Sequence, residues 1–221
     1  MHNMLEIKFK VPEPTLRRLP WYLAYAQFVM KRGEYFISST QISKDIDVDP
    51  SMVAKDLSYV QISGKTRVGY EVKELVAVLE KFLGFTKTHK AFLFGVGSLG
   101  GALLHDNGLA QFGLEITAGF DVKYELAGTS INHVPIHHID HFRELQTKTG
   151  INIGILTVPI DNAQLVTDLM IEGGIQAIWN FTPYRIRVPE FIIVQNTSFY
   201  AHLAVMYNRL SVIKECENCD K

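Results

Sequence analysis

Six residues near the middle of the chain, Gly95-Val96-Gly97-Ser98-Leu99-Gly100, have the spacing of a turn that can cradle a phosphate. The apolar run Ala91-Phe92-Leu93-Phe94 precedes them and Ala102-Leu103-Leu104 follows. Between a strand and a helix, the first glycine permits the tight turn and the second lets a pyrophosphate approach the backbone. The third lets helix and strand pack closely. The helix N-terminus then directs its free N–H groups at the anion. A second apolar-rich stretch, 114–120, ends at Asp121. A carboxylate there binds the ribose hydroxyls of NAD and repels the 2′-phosphate of NADP. Its distance from the first glycine fits a pattern that requires roughly 20 residues or slightly more. These residues predict a dinucleotide site, against the plainer reading of a strand–helix turn that holds nothing.

Other residues suggest different chemistry. Lys55, Lys65 and Arg67 are basic, the latter two within the glycine-bounded stretch 64–70. Such residues bind phosphate by charge and counterion release, or simply face solvent. Ser51 and Tyr59 add polar groups nearby, although Tyr59 equally suits a core. His133, His137, His138 and His141 cluster, but Val134-Pro135-Ile136 between them reads as extended, and no Cys or Glu completes a metal set. Cys216-x-x-Cys219 is half of a zinc or redox motif without its second half, and reads as a disordered, reduced tail. No nucleophile–base pair stands out, so neither a catalytic residue nor a metal ligand is expected.

The 221 residues are 47% hydrophobic with a net charge of −1, ordinary for a globular protein. No apolar run reaches the length of a membrane span and no leader is evident. Two cysteines close together suit a reducing cytoplasm better than a disulfide framework. Split near Phe85, the chain carries +2 before and −3 after, which permits an anionic partner for the first part.

The elements that must position these residues fall into two sets. After an arm of about a dozen residues, Pro20 suits the first turn of a helix that aligns Trp21, Ala24, Tyr25 and Phe28 and closes at Gly33. Ser38-Ser39-Thr40 caps a short helix containing Ile42 and Ile46. Asp49 caps another, with Pro50 at its first position, running to about Tyr59. The stretch 64–70 reads as a hairpin tip. A further helix aligns Val72, Leu75, Val76, Leu79, Phe82 and Leu83 and stops at Gly84. This order is a helix-turn-helix with a wing. From Lys90, strands 91–94, 114–120, 151–158, 177–180 and 191–194 alternate with helical or loop segments, which indicates an α/β domain with a largely parallel sheet. A terminal helix then presents Phe199, Leu203, Met206 and Leu210 with no sheet face left to cover.

Across nearly its whole length the chain resembles the Rex family of redox-sensing transcriptional repressors. The resemblance rests on Leu19-Pro20, Ser38-Ser39, Lys55-Asp56-Leu57-Ser58-Tyr59, Gly64-Lys65, Val68-Gly69-Tyr70, the glycine turn with Ala102-Leu103, and Phe120-Asp121-Val122. It continues through Val134-Pro135-Ile136, Leu156-Thr157-Val158-Pro159, Asn180-Phe181-Thr182-Pro183 and Val188-Pro189. It implies a winged-helix DNA-binding domain (1–86), a Rossmann NAD(H)-binding domain (87–196), a terminal dimerisation helix (197–213) exchanged between subunits of a homodimer, and a tail (214–221). It also implies a repressor that holds operator DNA when NAD+ dominates and releases it when NADH binds. The loops Thr157-Val158-Pro159 and Phe181-Thr182-Pro183 would then lie beside the nicotinamide half.

The chain departs from the family pattern where recognition and sensing occur. Ala54 replaces the usual Arg before the Lys-Asp-Leu-Ser string, removing a guanine contact worth about 1–3 kcal/mol of discrimination. Tyr59-Val60-Gln61-Ile62-Ser63-Gly64 and Thr66-Arg67 replace the usual strings before and within the wing. Ala24, Asp106 and Ser198 stand where the family carries an Arg, a Tyr and an Asp that link nicotinamide to DNA domain. Two rival readings are a small Rossmann oxidoreductase and a CoA-binding Rossmann module; Asp121 argues against the latter, since CoA carries a ribose 3′-phosphate.

Overall fold

The computed structural model describes residues 11–219, with side chains described through Val212. The expected arm falls largely on residues 1–10, outside the described part. The chain divides into two compact units between Lys87 and Thr88.

In the first unit, α1 (Glu13–Lys31) begins with Pro14 in its first turn and contains Pro20 in its interior. Pro20 therefore does not open the helix, as the sequence suggested. An interior proline removes one hydrogen bond and normally kinks or breaks a helix at about 3 kcal/mol. Tertiary bonds hold this one together from both sides. Thr15 and Arg18 precede Pro20, Tyr22 follows it, and all three donate to the carboxylate of Asp56. The buried face is also not the expected one. Leu19, Tyr22, Leu23, Ala26 and Val29 enter the core, whereas Trp21 and Phe28 are more than half exposed. Trp21 and Phe28 satisfy the same helical period as the core residues, so periodicity alone could not choose between the faces.

After β1 (Phe36–Ile37), α2 (Ser39–Ile46) starts with a capping box in which Ser38 and Gln41 satisfy each other's backbone N–H. Asp47 ends it in the left-handed conformation. Asp49 caps α3 (Pro50–Tyr59) by accepting from Ser51 N, with Pro50 at the first position. Ile42, Val53 and Leu57 of this helix-turn-helix pack into the core with α1. The chain then forms a small hairpin in which Lys65 and Gly69 exchange backbone bonds of 2.8 and 2.9 Å, with Arg67 at its tip. The wing is completed by β2 (Tyr70–Glu71), antiparallel to β1. In α4 (Val72–Leu83), Val72, Leu75, Val76 and Leu79 are buried. Phe82 is 40% exposed and does not join them; Gly84 closes the helix.

The second unit is a seven-stranded sheet in the order β5-β6-β4-β3-β7-β8-β9. Its strands are β3 (His89–Phe94), β4 (Leu114–Asp121), β5 (Ser130–Ile131), β6 (Val134–His138), β7 (Ile153–Leu156), β8 (Ala177–Asn180) and β9 (Ile193–Asn196). All neighbours run parallel except β5, which is antiparallel to β6. Helices α5 (Ser98–His105), α6 (Gly108–Gln111), α7 (Phe142–Thr149) and α8 (Ala163–Glu172) connect them. The run 91–94 is apolar throughout because both sheet faces are covered. Phe92 and Phe94 join Phe120, Phe142 and Met170 in one core layer; Ala91 and Leu93 join Leu104, Ile136 and Ile155 in another.

Two strands start later than expected. The exit of α7 at Gly150 and the acceptance of Gln176 N and Ala177 N by Asn152 O occupy the chain before β7, which ends before Thr157. A turn from Ile192 N to Pro189 O delays β9 and leaves Phe191 exposed. The terminal helix α9 (Phe199–Cys219) runs past the expected boundary at 213. The backbone carrying Cys216 and Cys219 is thus helical rather than an irregular tail.

Candidate nucleotide and DNA sites

The glycine turn lies at the carboxyl end of β3, between β4 on one side and β7 on the other. Strand order reverses at this point, and doubly wound sheets open a crevice there. Gly95 has φ +97°, and a Cβ on it would lie 2.8 Å from Val158 Cγ1 and 2.9 Å from the Thr157 carbonyl. A Cβ on Gly100 would lie 2.0 Å from Gly95 O, so helix and turn touch backbone to backbone. Gly97 differs: a Cβ there meets nothing within 4 Å. It is the N-cap of α5 and supplies no side-chain cap. The first turn of α5, at Ser98 and Leu99, thus presents its N–H groups towards open space, as an anion requires.

Asp121 ends β4 beside this turn. Its Oδ2 accepts from Val96 N at 2.7 Å and its Oδ1 from Lys123 N at 3.0 Å. Val96 was expected among the phosphate-binding residues. Its N–H is engaged by Asp121 and its side chain is buried, so this bond ties the turn to the carboxylate.

The two loops expected beside the nicotinamide follow β7 and β8. Thr157 directs its hydroxyl to the carbonyls of Gly95 (2.7 Å) and Phe94 (3.0 Å), holding the glycine turn from below. Val158 flanks Gly95, and Pro159 is exposed. Phe181 packs on Trp179 with ring centroids 4.6 Å apart, and its N–H donates to Leu156 O. Thr182 is buried, with N–H and hydroxyl both directed at Asn180 Oδ1 (2.9 and 2.8 Å); Pro183 is exposed. The hydroxyl protons of Thr157 and Thr182 are thus used within the loops, which fixes the shape of the crevice edge. Asn180, not singled out from the sequence, organises the second loop. Its amide donates to Tyr184 O and Asn196 Oδ1, both at 2.8 Å. A buried Asn closing a strand was the signal available.

On the first unit, Ser51 and Lys55 lie exposed one turn apart on α3, and Tyr59 one turn further on is half-buried. The Ser51 hydroxyl donates to Asp49. Bonds from the Ser51 hydroxyl and N–H hold the Asp49 carboxyl below the usual carboxylate range. Lys65 and Arg67 are exposed on the wing, with Lys65 Nζ 5.5 Å from the Phe36 ring centre. The sequence reading missed Asp56 as a positioning group. It is buried on the inner face of α3 and accepts from Thr15 (2.8 Å), Tyr22 (2.6 Å) and Arg18 (2.6 and 2.9 Å). Burial alone would raise its pKa; the bonds from Arg18, Tyr22 and Thr15 outweigh this and lower it.

Of the four histidines only His137 and His141 share a pocket, and among the described residues no three His, Cys, Asp or Glu side chains are placed to hold a metal ion. His133 sits in the β5–β6 turn, His137 lies against Phe120, His138 is buried, and His141 faces Glu144 at 4.0 Å. The terminal residues Phe199, Leu203, Met206 and Leu210 are all exposed on α9. Ala24 and Asp106 are exposed too, and Ser198 caps α9 by accepting from Ala201 N. Among the described residues no helix is long and apolar enough to cross a membrane.

Comparison with known proteins agrees with this division. Residues 10–58 match a family model described as a putative DNA-binding protein N-terminus, and residues 86–184 one described as a CoA binding domain. Over 96% of its length the chain is 64% identical to the redox-sensing transcriptional repressor Rex of Bacteroides fragilis, covering 97% of that protein. It is 61% identical to Rex of Porphyromonas gingivalis over 91% of this chain and 92% of that one. A crystal structure of RSP in complex with β-NAD+ and operator DNA superposes with a TM-score of 0.88 at 31% identity, covering 95% of this chain and 97% of that one. RSP in complex with β-NADH gives 0.85 at 32% identity, covering 94% and 98%.

Proposed function

The chain belongs to the Rex family of redox-sensing transcriptional repressors, and we propose how its residues divide that task. It is a DNA-binding repressor and not an enzyme. It is regulated by NAD(H), bound as a ligand and left chemically unchanged. The glycine turn carries the reading: Gly97 leaves open space above the first turn of α5, and Asp121 closes one side. The N–H groups around Gly97, Ser98 and Leu99 hold the pyrophosphate, and Asp121 holds the adenosine ribose while repelling a 2′-phosphate. The loops 157–159 and 181–183 border the nicotinamide half. Lys65, Arg67 and Lys55 contact DNA phosphates, with Ser51 and Tyr59 adding polar contacts.

RSP's complex with operator DNA holds β-NAD+, and a separate RSP complex holds β-NADH. By analogy with the first, NAD+ is compatible with operator binding here; release by NADH is what redox sensing then requires of the reduced form. The exposed stripe on α9 suits exchange between two copies, giving a homodimer that reads two half-sites. Its relatives are bacterial, and a repressor acting on the genome works in the cytoplasm. The CoA description of one matching family model is the rival. Asp121 beside the turn disfavours a ribose carrying a 3′-phosphate. Operator DNA binding titrated with NAD+, NADH and CoA tests the proposal. Release by NADH alone supports it; release by CoA, or by none of the three, overturns it.

A further inference from the structure

We propose that His138 is a positioning residue that sets the chain's preference for NADH over NADPH. The proposal deepens the nucleotide reading above and rests on it. Asp121 and His138 are paired in register on the adjacent parallel strands β4 and β6. The chain leaves the sheet immediately after Asp121, and the residues that follow bend back upon its carboxylate through Lys123 N. The place of that carboxylate therefore depends on the path of residues 122–124.

His138 constrains this path in two ways. Its Nε2 lies 3.2 Å from Val122 O. Its ring lies flat against that of Tyr124, with centroids 4.0 Å apart and planes 8° apart. Tyr124 is 73% exposed, so its packing is supplied largely by the imidazole beneath it. Asp140 fixes the ring from the other side, its N–H 3.4 Å and its carboxylate 3.0 Å from Nδ1. A proton on Nε2 satisfies Val122 O. None of these groups is among those that would touch the pyrophosphate.

Discrimination needs such a support. A carboxylate repels a 2′-phosphate only if it stays beside the ribose, and exposed Lys123 is two residues away. A loop freed from His138 lets the carboxylate withdraw and lets the ammonium of Lys123 approach. NADH binding then weakens while NADPH binding holds or improves.

The test is titration of NADH and NADPH against the full-length protein by fluorescence, with thermal unfolding alongside. We expect His138→Ala to lose about tenfold in NADH affinity, or about 1.4 kcal/mol, without a matching loss for NADPH. His138→Asn, whose amide still donates towards Val122 O, should recover most of the preference. In an Asp121→Ala background, His138→Ala should have no further effect on NADH. Unchanged NADH affinity in His138→Ala overturns the proposal. So do equal losses for both nucleotides, or effects of the two substitutions that simply add. If the wild type binds neither nucleotide, the nucleotide reading itself falls and takes this inference with it.

Discussion

Arg18 of α1 grips Asp56 of α3 with two bonds, Nε to Oδ2 at 2.6 Å and Nη2 to Oδ1 at 2.9 Å. The pair fixes the outward-facing helix of the DNA-binding unit to the helix behind it. Its partners on either side of Pro20 also explain how α1 survives an interior proline. Asp56 is buried and Arg18 one-fifth exposed, so removing the carboxylate leaves the Thr15 and Tyr22 donors unmatched beside a partly hydrated guanidinium, at about 1.5–3 kcal/mol. Asp56→Ala is therefore expected to lower unfolding stability on that scale. Operator affinity should fall with it, although Asp56 itself is buried and faces no DNA. Chemical denaturation and operator binding check both. A stable Asp56→Ala protein with full affinity would show that the pair is dispensable.

Acid should dissolve the same network. The folded pKa of Asp56 lies below its ordinary value. Its contribution is thus complete above the unfolded value of about 3.9 and is lost as pH falls through the lower folded value. Burial, followed by the Asp56 carboxylate, pushes the Tyr22 phenol up, so it remains a donor across this range. The stability difference between wild type and Asp56→Asn should stay flat above about pH 5 and shrink below about pH 4. Unfolding curves at fixed ionic strength measure it. A difference that grows on acidification would assign the network the wrong sign.

The parts of this fold that local chemistry dictates were legible in the sequence. Asp49-Pro50, Ser38 and Gly84 mark helix ends by capping physics that needs no tertiary context. The apolar run at 91–94 marks a strand covered on both faces. What remained hidden depends on partners distant in sequence. Trp21 and Phe28 share a helical period with the core residues of α1, and only the packing of α4 and α3 selects the other face. Val96 and Thr157 lie in motifs that suggested contact with the ligand. Their donors instead meet Asp121 and Gly95, over separations of 25 and 62 residues. Asp106 accepts from Gly108 N and Leu109 N at the start of α6 and Ser198 caps α9, whereas nothing in the structure explains Ala24.

The glycine turn makes opposite predictions for two of its members. Gly97 has φ −80° and open space around a Cβ, so Gly97→Ala should fold with unchanged stability. The added methyl lies where the pyrophosphate must approach, and NADH affinity should drop by tenfold or more, on the order of 1.4 kcal/mol. Gly100→Ala drives a methyl into Gly95 O and should destabilise the Rossmann unit itself. Calorimetry with thermal unfolding separates the two. Equal behaviour of the two variants would place the ligand elsewhere.

The wing should act through charge. Lys65 and Arg67 are exposed, and among the described residues neither meets an acidic side chain. If each neutralises one phosphate, Lys65→Ala and Arg67→Ala should each reduce the slope of log affinity against log salt by about one unit. Preference among operator sequences should stay the same, because phosphate contacts carry no base information. Binding measured across a salt series checks this. Unchanged affinity at low salt in both variants would take the wing off the DNA.

The terminal helix is the last place where one chain looks incomplete. Phe199, Leu203, Met206 and Leu210 are between 38% and 49% exposed, and Tyr200, Val205 and Tyr207 more so. A contiguous apolar surface of this kind is rare on a monomer and marks an interface. Truncation should remove only this helix. The sheet ends at Asn196, which accepts from Asn180, and Thr197 accepts from Trp179 Nε1 at 2.9 Å. A chain ending at Thr197 keeps both bonds and should retain its NADH site. Without the stripe it should run as a monomer in light scattering. Two linked heads on matched half-sites gain through effective concentration, often by 10²–10⁴ or about 3–5 kcal/mol, and the monomer forgoes that gain. Operator affinity should therefore fall steeply while binding of NADH stays near that of the whole chain. A truncated protein that remains dimeric and holds its operator at full strength would move the dimer interface away from α9.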